Sequence, residues 1–96
     1  MNDLNSVLVE GTVVSQLVTM DAESRFDLAL QRFDKGCDGE YHESALVITV
    51  AAPGKVALGL DRIMMPNARI RVIGRLQGTE GRGKIVVRAE HIEHRG

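Results

Sequence analysis

Apolar residues fall at every second position through five stretches of this chain, the period of a half-buried strand. In residues 6–14, Val7, Val9, Gly11 and Val13 share one face, and Gly11 inside the pattern predicts a bulge or sharp bend. Asp21-Ala22-Glu23-Ser24 reads as a turn. Residues 25–33 then alternate, with Phe26, Leu28 and Leu30 inward and Asp27, Ala29 and Gln31 outward. Residues 34–43 are acidic and glycine-rich, the composition of an exposed, mobile loop. Residues 44–52 are apolar on both faces, so this third strand is expected to be central or covered. Pro53-Gly54 ends it, and Val56, Leu60, Ile63 and Met64 at helical spacing predict one short helix over 55–64, closed by Pro66-Asn67.

The fourth strand, residues 69–76, is the most informative. Ile70, Val72, Gly74 and Leu76 point one way, and Arg69, Arg71, Ile73 and Arg75 the other. Three guanidinium groups in a row on one sheet face repel one another, which calls for something anionic across them. Residues 77–84 form a three-glycine hairpin loop, and residues 85–92 a fifth strand with Ile85, Val87 and Ala89 on one face. Three strands, a helix and a two-stranded hairpin are the element order of the OB-fold. The expected architecture is therefore all-β: a five-stranded OB-fold barrel with one short helix between strands 3 and 4, as a single domain over 1–96. Its exposed face and long loops are a platform for single-stranded nucleic acid.

Composition narrows this further. The aromatics are Phe26, Phe33 and Tyr41 alone, so the core must be aliphatic. A chain of 96 residues buries only about 60–65% of its unfolded surface, which makes oligomerisation a natural supplement. The formal charge of −1 argues against a wholesale basic binder, but its distribution is uneven: carboxylates dominate 21–43, and arginine and lysine dominate 62–88. The lone Cys37 rules out an internal disulfide and a multi-cysteine metal site, and is read as a loop thiol. His91 and His94 do not share a strand face, and no ligand set completes a metal site with them or with His42. There is no nucleophile elbow, and the glycine loop joins two strands instead of opening a helix, so the chain reads as a non-enzyme without cofactor. No segment resembles a leader or a membrane span, which makes the cytoplasm the expected location.

Several segments resemble the DNA-binding domain of bacterial single-stranded DNA-binding proteins. Asn5-Ser6-Val7-Leu8-Val9-Glu10-Gly11 resembles that family's opening strand, and Phe26 to Phe33 its second, a Phe-x-x-Ala-x-x-Arg pattern. Pro53-Gly54-Lys55-Val56-Ala57 stands where the family has an aromatic-Gly-Lys-Leu-Ala lead into its helix. Ile70 to Leu76 is similar to the Val-x-Val-x-Gly-Arg-Leu strand, and Val87 to Ile92 to the closing strand. The resemblance runs in order along the chain and implies an OB-fold single-stranded DNA-binding protein of replication and repair type, assembled as a homo-oligomer, dimer or tetramer. The departures are specific. The family stacks bases on Trp and Phe in the third strand, at the start of its helix and in the last hairpin. These places hold Ala51, Ala52 and Pro53, and a short loop without an aromatic. Stacking is worth about 1–3 kcal/mol per base, so binding should be much weaker than the family's. The acidic tail by which the family recruits other proteins does not appear in this sequence, so that role is not carried over.

The expected nucleic-acid-binding residues are Arg32, Phe33, Lys35, Lys55, Arg69, Arg71, Arg75, Arg82, Lys84 and Arg88, a groove tracking phosphates with salt-dependent affinity. Against this stands the reading of a solvated surface balanced by carboxylates, preferred for Arg62 and Arg95. Arg75 has a third reading, pairing with an acidic residue at a subunit interface. Phe33 and Tyr41 are the two aromatics left that could stack a base; Phe33 reads equally as the rim of the core, and Tyr41, in an acidic loop, reads first as a loop residue. The partner is single-stranded DNA, with RNA left open, and neither a membrane nor a small-molecule substrate is expected. The alternative is a diverged OB-fold protein-interaction or primosome-type accessory module with little or no DNA affinity.

Overall fold

The alternation written into the chain builds a closed barrel in the computed structural model, which describes residues 3–65, 67–79 and 84–95. Among these residues six strands form one sheet: β1 (Val7–Val13), β2 (Val18–Met20), β3 (Glu23–Lys35), β4 (Tyr41–Pro53), β5 (Arg69–Gly78) and β6 (Ile85–His94). Five of them close on themselves in the order β1-β5-β6-β4-β3. The ring shuts where β1 meets β3 at Thr12↔Ala29 and Val13↔Leu28, and where β4 and β6 run parallel at Val50↔Val87 and Ala51↔Arg88. Closure pairs the strand edges at these two seams.

The core is the aliphatic set the pattern predicts. Val13, Phe26, Leu28, Val50, Ala52, Ile70, Val72, Val87 and Ala89 fill the barrel, and Leu60 plugs one end from the helical segment. Leu28 is fully buried at the β1–β3 seam. Replacing it with Ala leaves a cavity costing about 2–5 kcal/mol. A thermal melt of Leu28→Ala should therefore fall by at least about 8 °C.

The helix expected between strands 3 and 4 lies instead between β4 and β5, because the three-residue β2, too short to show a period, adds a strand before it. It is also two single turns, α1 (Gly54–Ala57) and α2 (Leu60–Ile63), in place of one helix. Gly59 between them sits at φ 80°, in the left-handed region, and breaks the helical path. Val56, Leu60 and Met64 still pack on the core, since the break preserves their side of the segment. No helix among the described residues is long and apolar enough to cross a membrane.

Two glycine readings change. Gly11 lies in unbroken register with β5 and carries no bulge. Its role is close approach: a Cβ there would run into the Ala29 carbonyl oxygen and sit 2.8 Å from the Leu30 side chain. The register shift falls between Ile73 and Gly74, against β6. Asn5 extends β1 by a side-chain pairing, its amide donating to the Leu76 carbonyl at 2.8 Å and accepting from the Leu76 N–H at 2.9 Å.

The acidic 34–43 segment is only partly a loop. β3 and β4 continue past the barrel as a two-stranded arm, paired to Phe33↔Glu43, Asp34↔His42 and Lys35↔Tyr41. Only residues 36–40 turn, closed by the Gly36 N–H on the Glu40 carbonyl at 2.7 Å, with Gly39 at φ 83°. Asp38 holds the turn by accepting from the Glu40 N–H at 3.0 Å and meeting His42 Nε2 at 3.1 Å. The Glu40 N–H, and then His42, hold the Asp38 carboxyl below the ordinary carboxylate range. Beyond the barrel β4 is not covered as expected: Leu46 and Val47 are exposed, because the arm has one partner strand and no sheet above it.

Candidate nucleic-acid interface

The arginine row faces outward from β5 as its parity requires, and the structure divides it in two. Arg71 stands cross-strand from Glu10 of β1 and from Glu93 of β6. Its guanidinium lies 3.3 Å from Glu10 Oε1 and 3.9 Å from Glu93 Oε2. Arg69 reaches Glu10 at 3.6 Å and donates to Thr12 Oγ1 at 3.2 Å, and Arg95 reaches Glu10 at 3.3 Å. The anion that the row requires is thus supplied, for this half, by the chain's own carboxylates. Each such exposed pair is worth about 0–1 kcal/mol, so the cluster balances charge more than it stabilises.

At the other end of β5, Arg75 lies directly across from Arg88 of β6. The cross-strand register continues from Arg88 to Ala51 of β4 and on to Arg25 of β3. Glu23 bridges the two flanking arginines, accepting from Arg25 Nε at 2.7 Å and lying 3.6 Å from Arg88 Nη1. Arg88 also reaches Gln77 Oε1 at 3.5 Å. Ala51 points outward by strand parity yet is only 1% exposed. Beside it opens a groove of about 780 Å³ lined by Arg25, Thr49, Gln77, Thr79, Lys84 and Val86. Among the described residues no carboxylate pairs with Arg75 or Lys84.

The same outer face runs from Arg25 out along the arm. Strand parity puts Asp27 and Thr49, Ala29 and Val47, Gln31 and Ala45, Phe33 and Glu43, and Lys35 and Tyr41 on it in successive cross-strand pairs. Thr49 Oγ1 donates to Asp27 at 2.8 Å and occupies that carboxylate. Phe33 is 67% exposed and Tyr41 73%, so neither is the rim of the core. They stand in diagonal register on one face, about 7–8 Å apart by strand geometry, with Lys35 opposite Tyr41.

The residues expected from the sequence therefore separate. Phe33 and Lys35 mark one end of the face, and Arg75, Lys84 and Arg88 the other. Arg32 is on the opposite face of the arm, tied to Asp34 at 2.7 Å. Arg69 and Arg71 belong to the Glu10 cluster. Lys55 is exposed on α1, and Arg82 lies outside the described residues. Arg25 was not among the expected residues. Arg25 shares its parity with Asp27 and Ala29, so its place on the outer face was readable. Tyr41, weighed as a stacking residue but placed second because its surroundings suggested a loop, stands on the paired arm.

This architecture has solved counterparts. The SSB of Plasmodium falciparum in complex with single-stranded DNA superposes with a TM-score of 0.80 at 14% identity, over 100% of this chain and 98% of that one. The chain has the fold of the single-stranded DNA-binding proteins. The single-stranded DNA binding protein of Thermus aquaticus matches with a TM-score of 0.79 at 24% identity, over 97% of this chain and 51% of that one. The N-terminal domain of the PriB protein of Thermoanaerobacter tencongensis, a dimeric structure, matches at 0.60 and 19%, over 96% and 97%. No family model matches the sequence, and no curated protein matches it.

Proposed function

We propose that the chain binds single-stranded nucleic acid along the outer face of β3 and β4. Phosphates would be held at the Arg25–Arg75–Lys84–Arg88 end and bases stacked on Phe33 and Tyr41 at the arm. The observation that carries this reading is the continuity of one face bearing clustered cations at one end, of which Arg75 and Lys84 have no carboxylate partner among the described residues, and exposed aromatics at the other. That is the combination by which single strands are held without sequence readout. The counterparts of this fold include a protein solved with single-stranded DNA, which supports the reading.

Four to five phosphate contacts give log K a slope of about −3 against log salt on a single strand. Raising salt from about 50 to 200 mM should then weaken binding roughly 60-fold. Titration of labelled oligo-dT at these two concentrations tests it, and absence of binding at the lower one would overturn the proposal.

A second reading, a protein-interaction or primosome-type accessory module, is favoured by the internal neutralisation of Arg69 and Arg71 and by the likeness to PriB. Arg75→Ala with Arg88→Ala separates the two. Under the first reading oligo-dT affinity falls and the salt slope shrinks by about 1.4. Under the second, only assembly or partner binding changes.

A further inference from the structure

One carboxylate stands inside the cation end of the face. Glu23 begins β3 with its side chain on the outer side, two residues from Arg25 and therefore on the same face. It lies between two guanidinium groups, 2.7 Å from Arg25 Nε and 3.6 Å from Arg88 Nη1. The carboxylate is 28% exposed, with Arg25 at 43% and Arg88 at 31%, so all three are open to an incoming ligand. An oxyanion spanning two arginines is also how a phosphate would sit there.

We propose that Glu23 is an internal competitor for the phosphate position and sets which ligands the face accepts. The inference rests on the functional reading above. Arg25 and Arg88 are the two cations of the end that hold a carboxylate, whereas Arg75 and Lys84 hold none among the described residues. A ligand phosphate must displace Glu23 to gain both guanidiniums. Glu23 is tethered to the site by its own backbone, so it acts at a high effective concentration, and a free phosphate or mononucleotide competes poorly with it. A strand already held at Arg75, Lys84 and the arm presents its next phosphate at a comparable effective concentration and does displace it. The carboxylate thus selects polymers over monomers and keeps the cations from being occupied by small anions. The Glu10 cluster has the same chemistry but lies away from the groove, on the side of the barrel formed by β1, β5 and β6.

The test compares Glu23→Gln with Glu10→Gln, each removing one carboxylate from an arginine cluster. Oligo-dT affinity and its salt slope are measured alongside binding of inorganic tripolyphosphate, followed by the Nε–H signals of Arg25 and Arg88. For Glu23→Gln the expected result is roughly three- to tenfold tighter oligo-dT binding at a slope close to the parent's, because the same phosphate contacts form without a carboxylate to displace. Tripolyphosphate should gain by more than oligo-dT. Glu10→Gln should change oligo-dT affinity by less than about twofold. Oligo-dT binding by the unaltered protein with no gain, or a loss, in Glu23→Gln overturns the competition and makes Glu23 a positioning residue, while the functional reading stands. Tighter tripolyphosphate binding in Glu23→Gln by a protein that binds no oligo-dT upholds the competition and rejects the nucleic-acid reading.

Discussion

Gly74→Ala should destabilise this protein more than any substitution on its surface. A Cβ at position 74 would collide with the Arg88 carbonyl oxygen and sit 2.9 Å from the carbonyl carbon and 3.1 Å from Ala89 Cα. All three obstacles are backbone, so no rotamer change relieves them. The glycine lies at the register shift, where Gly74 faces Ala89 while Ile73 faces His91, and β6 comes close enough to need the missing side chain. Forcing the strands apart costs at least the roughly 1–3 kcal/mol of an overpacked core. A domain of this size melts about 4–8 °C lower per kcal/mol. Gly78→Ala, four residues on in the same strand, meets nothing within 4 Å and should melt within a few degrees of the parent. Equal melting of the two variants would sink the argument. The collision also has a functional side, since any relief by shifting β6 moves Arg88 away from Arg75 and Glu23 together.

The barrel was legible where burial enforces a period of two. Phe26 and Leu28 on β3, and Ile70 and Val72 on β5, must all face one core, and a one-residue slip would expose every one of them. The outward parity of Arg69, Arg71 and Arg75 followed from the same constraint. Their environment did not, because Glu10 and Glu93 come from opposite ends of the chain and only closure of the ring brings them to either side of Arg71. The arginine row called for an anion, and for Arg69 and Arg71 the chain supplies it internally. The arm misled for a local reason. Asp34, Gly36, Asp38 and Gly39 have the composition of a loop, yet the tight turn that Asp38 and His42 hold lets β3 and β4 keep pairing out to Lys35 and Tyr41. Gly59 lies inside the stretch predicted as one helix, and at φ 80° it divides that helix in two. In each case the determinant is a tertiary or turn interaction that outweighs composition or propensity.

The arm decides how strongly the face can hold a strand. Phe33→Ala and Tyr41→Ala should each weaken oligo-dT binding by about 1–3 kcal/mol, which is roughly 5- to 150-fold. Both rings are already more than half in water, so their removal should leave stability within about 0.5 kcal/mol of the parent, and the melt serves as the control. Diagonal register places the rings close enough to hold one base or two neighbouring ones, and the double variant distinguishes these. Losses that add mean two separate platforms, and a double loss no greater than the larger single one means a shared base. Salt dependence gives a further check. Stacking carries no counterion release, so the aromatic variants should keep the parent slope of about −3 while Arg75→Ala with Arg88→Ala flattens it. Affinity unchanged within about twofold in both aromatic variants would remove the arm from the interface. The cation end would then hold phosphate unaided, with an affinity lower by the same 1–3 kcal/mol per base that stacking supplies.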